Sequence, residues 1–585
     1  MPEYLAPGVY VEETSFRAKS IEGVGTSTTA FVGPTRKGPF RADQEAQEQP
    51  ELLTSFGDFV RIYGSIADLE LSGGAPNANH VAHGVLAFFN EGGSRLYVSR
   101  VVSATAAAAT ASVTAPATPA AESVGFTARF PGAAGNGVIT LRETIAPGSA
   151  VTMARAPAGT LLRTGPDAGP SHHVKIGANW HPAASPGDAA ADPAALAGAN
   201  PRFVTMQLLA RDADGDDMSY DDLGFDARHP RWVGHLLAAQ PARRAEHLQN
   251  TFAITIGGSV TAIGLRNALF SGAAANAQGQ LENSFALTGG SDGAEPTAAE
   301  YTLALGEIAA LEDVSIVAAP GSSAYADGQA VTGALISHAE ARRAYRIAVL
   351  DTPPAQTPGQ VRTLRGSMDS TRAALYYPWV VVANPNARAG RDDVPREIAL
   401  PPSSYVCGIY ARNDVQRGVH KAPANEVVRS ALRFEINVNF GQQELLNPLG
   451  VNCLRLLSGR GYRVWGARLI SSDPEWKYVS DRRYFNYLEA SIDRGTQWAV
   501  FEPNGERLWA NVRQTISDFL YGEWRNGALL GATVEEAYFV RCDRSTMTQN
   551  DLDNGRLVCL IGVAIIKPAE FVIFRIGQKT ADARS

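Results

Sequence analysis

The chain has 585 residues, 45% of them apolar and 19% charged, with a formal net charge of -7. That balance excludes a disordered chain, which carries fewer apolar groups and more charge, and it argues against nucleic acid as the main partner, because phosphate binding needs clustered Lys and Arg. The length predicts two to four domains, since a single core rarely organises more than about 250 to 300 residues.

The opening PGVYVEE, Pro7 to Glu13, is a short β-prone segment with Val9 and Val11 on one face and Tyr10 and Glu12 on the other. No basic segment leads into an apolar one at this end, and no run of about 18 apolar residues occurs anywhere, which together predict a protein made and kept in the cytosol without membrane insertion. From Phe31 to Arg100 the texture is α/β, with an apolar helical stripe at His83 to Phe89 followed by the strand-like Arg95 to Val102.

Two composition breaks follow. Ser103 to Ala121 is an Ala, Thr and Pro run and Pro182 to Pro201 is rich in Ala, Pro and Gly, so both read as linkers or surface loops. The β-like runs Val138 to Ile145 and Arg202 to Ala210, separated by Gly, Asp and Pro clusters, predict a mainly β insertion over 102–295. Beyond it, the buried-strand runs Val314 to Ala318 and Ile347 to Leu350 alternate with helical stretches at Thr297 to Leu311 and Ala330 to Arg346. One α/β domain built from two pieces, 21–101 and 296–420, is expected.

Residues 421–567 read as a separate α+β unit. Tyr484, Leu488 and Ile492 recur at helical spacing, as do Leu508, Val512 and Ile516, with Asn504 as the cap of the second helix. Ala537 to Cys542, Leu557 to Ile566 and Phe571 to Ile576 are rich in β-branched and aromatic residues and are expected as strands. The ends, 1–20 and 568–585, are arms. Each is too short to stand alone and must join a larger sheet. That sheet belongs either to the same chain or to a neighbouring subunit, by β-augmentation through Val9, Tyr10, Val11 and Glu12 and through Phe571, Val572, Ile573 and Phe574.

Signatures of chemistry are sparse. The chain has no GxxxxGK[ST] or HExxH, so no enzyme, cofactor or metal site is expected. His80 with His83, and His172 with His173, lack a third ligand at suitable spacing and read as structural histidines. The run Arg211 to Asp222 alternates carboxylates like a calcium loop, but its Gly215 is misplaced and no closing Glu follows, so a solvated acidic loop is expected. Five tryptophans between Trp465 and Trp524 read as core and not as a stacking platform. The cysteines Cys407, Cys453, Cys542 and Cys559 show no CxxC spacing and are expected as reduced core thiols. On these features alone, a cytosolic α/β enzyme and a surface adhesin stand as rivals to a self-assembling structural protein.

Several segments, in order, resemble phage tail sheath proteins: PGVYVEE at Pro7 to Glu13, TSTTAFVGPTRKGP at Thr26 to Pro39, FFNEGGSRLYVSRV at Phe88 to Val101, RIAVLDTPP at Arg346 to Pro354 and ALYYPWV at Ala374 to Val380. The longest match is SYVCGIYARNDVQRGVHKAPAN at Ser404 to Asn425, followed by FEPNGERLW at Phe501 to Trp509, NDLDNGRLVCLIGVA at Asn550 to Ala564 and KPAEFVIF at Lys567 to Phe574. The resemblance implies an α+β multidomain sheath subunit with a discontinuous α/β core, an outward insertion, an inner C-terminal domain and linking arms. It implies a helical homo-oligomer around an inner tube protein, with baseplate and tail terminator or cap proteins as further partners. Such sheaths assemble in the bacterial cytoplasm, extended and metastable, and contract to drive the tube through an envelope. Either a phage virion tail or a released extracellular injection particle fits. Tube contact would fall to a C-terminal helix face carrying Arg507 and Arg513, or Arg482 and Arg483, with a solvated helix face as the alternative.

Overall fold

The computed structural model describes residues 20–42, 49–71, 75–113, 124–258, 260–388, 390 and 394–575. Strand β1 (Thr29–Gly33), helix α1 (His80–Glu91) and strand β2 (Leu96–Arg100) come first. A mainly antiparallel block follows and includes β3 (Gly137–Pro147), β4 (Arg202–Arg211) and β5 (Asp217–Leu223). Then come β6 (Ile316–Ala318), β7 (Ile347–Asp351), β8 (Ala373–Tyr377), helix α2 (Pro402–Arg417) and β9 (Val451–Leu457). Helices α3 (Val479–Gly495) and α4 (Glu506–Arg525) precede the paired strands β10 (Tyr538–Arg541) and β11 (Leu560–Val563).

Strands β2, β1, β6, β7, β8 and β9 lie side by side in that order, every neighbouring pair parallel. Strand β1, TAFVG, is buried along its whole length, as a parallel strand covered on both faces must be. Phe31 joins Val81, Val85 and Phe88 of α1 and Ile409 of α2 on one face. Ala30 and Val32 point the other way, toward Tyr301 and Leu305 of helix Ala298–Ala309 and Leu335 of helix Gly328–Glu340, as a period of two requires. Thr29 of β1 pairs with Ile316 of β6, so chain from either side of the antiparallel block shares one sheet. Helix α1 begins at Asn79, whose side chain accepts from the Ala82 amide at 3.1 Å. It stops at Gly92, which adopts φ 109 as few other residues can.

The central sheet reaches past residue 420, where the sequence places the start of the C-terminal unit. Leu375–Tyr377 pair with Val451–Cys453, and Glu426–Val427 close the far edge through Gly461–Val464. Which strand lies beside β8 is decided by packing of both sheet faces, and hydrophobic period does not carry that information. In the antiparallel block, β3 runs against β4 from Val138 opposite Arg211 to Pro147 opposite Arg202. The expected linker 103–121 contributes Thr110–Val113 as a strand against Val124–Ala128, and Ala109 is buried. The expected loop 182–201 contains helix Pro193–Gly198, whose Leu196 packs with Met153, Leu162 and Trp180. Ala-rich composition hides such elements because Ala suits a tight interior as well as a linker.

The acidic run also departs from expectation. Its turn, Asp212 to Asp216, docks the block onto the central domain instead of lying in solvent. Asp214 Oδ1 accepts from Arg36 Nε at 3.0 Å and Nη2 at 2.6 Å, and Asp214 Oδ2 accepts from Ser65 Oγ at 2.9 Å. Lys37 Nζ donates to Asp212 at 3.0 Å and Asp216 at 2.7 Å. Arg36 and Lys37 are 6% and 9% exposed, so their pairs with the buried carboxylates of Asp214 and Asp212 are desolvated, while Asp216 stays in contact with water. Burial works to raise the Asp214 pKa, and the hydrogen bonds and charge of Arg36 overcome it and hold the carboxyl below its usual range.

Candidate assembly surface

The C-terminal unit is built on two helices whose apolar stripes meet. Tyr484 and Leu488 of α3 are buried with Leu508, Trp509, Val512, Ile516 and Leu520 of α4. Glu523 of α4 ties the pair together, accepting from Tyr484 Oη at 3.0 Å and Tyr487 Oη at 2.9 Å. The expected cap at Asn504 does not form. The N-cap is Gly505, and Asn504 Oδ1 accepts from Trp509 Nε1 at 2.7 Å. An indole donor inside the first turn competes for the amide oxygen that the backbone would otherwise take.

The motifs quoted from the sequence meet one another in space. Glu91 of FFNEGG is fully buried and pairs with Arg412 of α2 at 2.7 Å. Asp414, two residues on, accepts from Arg483 of α3 at 2.8 and 2.6 Å and from Thr26 Oγ1 at 2.6 Å. Asp351 of RIAVLDTPP accepts from the Ser403 amide at 2.7 Å and its hydroxyl at 2.6 Å. Burial pushes the Asp351 pKa up to about 7, against the opposing hydrogen bonds from Ser403. These contacts tie α1, α2, α3 and the central sheet together.

They also correct one expectation about surface charge. Arg482 and Arg483 are each 4% exposed. Arg482 donates to Glu489 at 2.8 Å and lies over the Trp476 ring at 4.0 Å, and Arg483 is spent on Asp414, so neither presents a free cation to a partner. Arg507 and Arg513 are exposed on α4. Helical spacing identifies a face, but which face points outward depends on what packs against it.

The chain leaves this unit through an anchored root. Glu570 accepts from Arg468 Nε and Nη2, both at 2.7 Å, from Asn447 Nδ2 at 2.8 Å and from Tyr478 Oη at 3.0 Å. Burial works to raise the Glu570 pKa, and the hydrogen bonds of Arg468 and Asn447 hold it below the usual range. Immediately beyond, Phe571, Val572, Ile573 and Phe574 are 70%, 68%, 79% and 83% exposed. Residues 571–575 form no strand within the chain, contrary to the expected Phe571 to Ile576 strand, whose last residue lies outside the described residues. Val9, Tyr10, Val11 and Glu12 lie outside them as well. Beside the root, a groove of about 1180 Å³ is lined in part by Lys421, Phe440, Trp465 and Ala569. Strands β10 and β11 form a two-stranded sheet, antiparallel with Arg541 opposite Leu560, and among the described residues it has no third strand. The anchor went unnoticed in the sequence: KPAEF stood out as a motif, but Arg468, about a hundred residues earlier, carries no local signal.

Among the described residues no group of three or more His, Cys, Asp or Glu could hold a metal, and no helix is long and apolar enough to cross a membrane. His83 is buried and His80 half-buried, both with pKa values pushed down to about 4 by desolvation, and His80 packs edge-on to Trp379 at 5.3 Å. Trp509 is buried and the other four tryptophans of its region are half-buried.

Residues 294–468 match the model of the phage tail sheath protein central domain, and residues 471–579 match the phage tail sheath C-terminal domain. A putative prophage major tail sheath protein of Pseudomonas aeruginosa (strain UCBPP-PA14) is 27% identical over 267 residues, 45% of this chain and 64% of that protein. The chain spans less than two thirds of the curated relatives it matches, with shares of 64%, 26% and 33%. The helical sheath of the anti-feeding prophage in its contracted state superposes with a TM-score of 0.53 at 21% identity, covering 98% of this chain and 99% of that one. The contracted PVC sheath complex of an extracellular contractile injection system gives 0.52 at 20% identity, covering 99% of each chain. These two likenesses establish a shared fold.

Proposed function

Because the chain belongs to the phage tail sheath protein family, we propose that it is a structural subunit, not an enzyme, that polymerises helically around an inner tube and contracts to drive that tube through a target envelope. The observation that carries this reading is the anchored root at Glu570 followed by four exposed, β-prone apolar residues, shortly after a strand pair that has no third strand among the described residues. An exposed Phe-Val-Ile-Phe run on an otherwise well-packed chain is an aggregation hazard unless a neighbour covers it. A head-to-tail contact of this kind generates an open helical polymer wherever its rotation does not close on itself.

In this reading the arms, including Val9 to Glu12 and Phe571 to Phe574, add strands to sheets of adjacent subunits. Each main-chain hydrogen bond contributes about 1 kcal/mol net, repeated at every contact. The antiparallel block faces outward and the C-terminal unit faces the tube, with Arg507 and Arg513 meeting acidic groups there. Exposed pairs of that kind contribute about 0 to 1 kcal/mol each, which suits a contact that must release. The work of contraction comes from the difference between two packings of the same lattice. Baseplate and cap proteins are the partners at the two ends, assembly takes place in the bacterial cytoplasm, and the reading covers a virion tail and a released injection particle alike.

Negative-stain electron microscopy of the chain, alone and with tube proteins from its own genome, tests this. Hollow striated cylinders are expected, lost on deletion of residues 1–15 with the folded monomer retained, and binding to the tube should weaken on Arg507→Glu with Arg513→Glu. Long cylinders from the truncated chain would overturn the role of the arm, and a small-molecule ligand with a discrete oligomer would favour an enzyme.

A further inference from the structure

Strands β10 and β11 pair with Val540 opposite Ile561 and Arg541 opposite Leu560. One step further along the same register, Cys542 stands opposite Cys559. Directly opposed residues of an antiparallel pair hold their Cα atoms about 4.5 to 5.5 Å apart, within the span of about 4.4 to 6.8 Å that a disulfide bridges. Both side chains belong to one apolar cluster. Cys542 is fully buried in the cluster formed by Leu508, Trp509 and Val512, whereas Cys559 is only half-buried and so meets solvent. The remaining two cysteines cannot pair: Cys407 and Cys453 belong to the clusters on opposite faces of the central sheet.

We infer that Cys542 and Cys559 are a built-in disulfide site that closes when the protein leaves a reducing environment. The oxidant is a low-molecular-weight disulfide such as oxidised glutathione. The Cys559 thiolate attacks one sulfur of that disulfide and releases the other as a thiol. The Cys542 thiolate then attacks the Cys559 sulfur and releases the second thiol. Two protein thiols lose two protons and two electrons, and one small disulfide becomes two thiols. Burial, together with the neighbouring sulfur, pushes the Cys559 thiol up to about 12, so little thiolate is present near neutral pH and the reaction is slow. The site is therefore a slow latch and not a rapid sensor.

The bond would staple the base of the excursion Asp543 to Val558, which is otherwise held by the Thr548 and Asp551 capping box and the Arg556 to Asp551 pair at 2.9 Å. It would fix the register of β10 against β11 without touching either outer edge. The inference stands on this pairing alone and does not depend on the assembly reading.

The test uses the full chain, incubated with oxidised glutathione, quenched with an alkylating maleimide under unfolding conditions and digested without reduction. Cleavage after Arg541, Arg544 and Arg556 puts the two cysteines on separate peptides. The expected result is one cross-linked peptide pair, lighter than the two free peptides by two hydrogens, with Cys407 and Cys453 fully alkylated and the thermal midpoint of the oxidised chain raised. Cys559→Ser should abolish both the cross-link and the rise. Recovery of Cys542 and Cys559 as alkylated thiols, or of Cys559 carrying glutathione beside a free Cys542, overturns the inference.

Discussion

Substituting Glu570→Ala tests the link between the anchored root and assembly. The side chain is only 20% exposed and makes four hydrogen bonds, two of them parallel bonds from a guanidinium that is itself 9% exposed. Removing it leaves Arg468 with the Asn447 carbonyl at 3.0 Å and no carboxylate. A hydrogen bond to a charged group contributes about 1.5 to 3 kcal/mol, and partial exposure discounts the total to roughly 1 to 3 kcal/mol. Because every 1.4 kcal/mol is about tenfold in an equilibrium constant, the concentration of subunit left unassembled should rise about 5- to 150-fold. The assay is pelleting of assembled sheath across a dilution series, with urea unfolding as the control for the fold. Glu570→Gln should fall between wild type and Ala. The pH dependence has a definite sign: a depressed carboxyl contributes stability above its unfolded pKa, near about 4.3, and loses it as pH falls through the folded value. Assembly should therefore hold through pH 5 and weaken below about 4. An unassembled concentration within about twofold of wild type, in a variant that still folds, would refute the idea that this root directs the arm.

Asp214→Ala should strip the charge from a desolvated pair and destabilise the docking of the antiparallel block by about 3 to 5 kcal/mol, because Arg36 then keeps only a 3.9 Å approach to Asp292 and the Asp68 carbonyl. Urea unfolding measures the loss, hydrogen exchange should rise in Asp217–Leu223, and a change under about 1 kcal/mol would contradict a buried pair. Asp351, raised to about 7 by burial, binds its proton more tightly in the folded chain, so its contribution is fully present below about pH 4 and is lost as pH rises toward 7. Asp351→Asn keeps the shape without the charge and should flatten the thermal midpoint between pH 4 and 7, and an unchanged slope would mean the carboxyl ionises freely.

Much of the molecule was legible in the residues. The continuous apolar runs at Val314 to Ala318 and Ile347 to Leu350 mark parallel strands because both of their faces are covered. The helical stripes Tyr484, Leu488 and Leu508, Val512, Ile516 mark the faces on which α3 and α4 meet. The β-prone run Phe571 to Phe574 is legible as well, whereas its exposure is not. These are local properties, and local sequence encodes period, propensity and turn chemistry.

What only the tertiary structure decided is pairing at a distance. It put β9 into the central sheet beyond residue 420, turned the acidic turn Asp212 to Asp216 into a buried joint with Arg36 and Lys37, and used Arg483 as a core ion pair with Asp414. It also joined Glu570 to Arg468 and set Cys542 across from Cys559. A charged side chain reads the same in sequence whether water or a counter-charge surrounds it. Only the folded chain, by removing the water, determines which partner it must find.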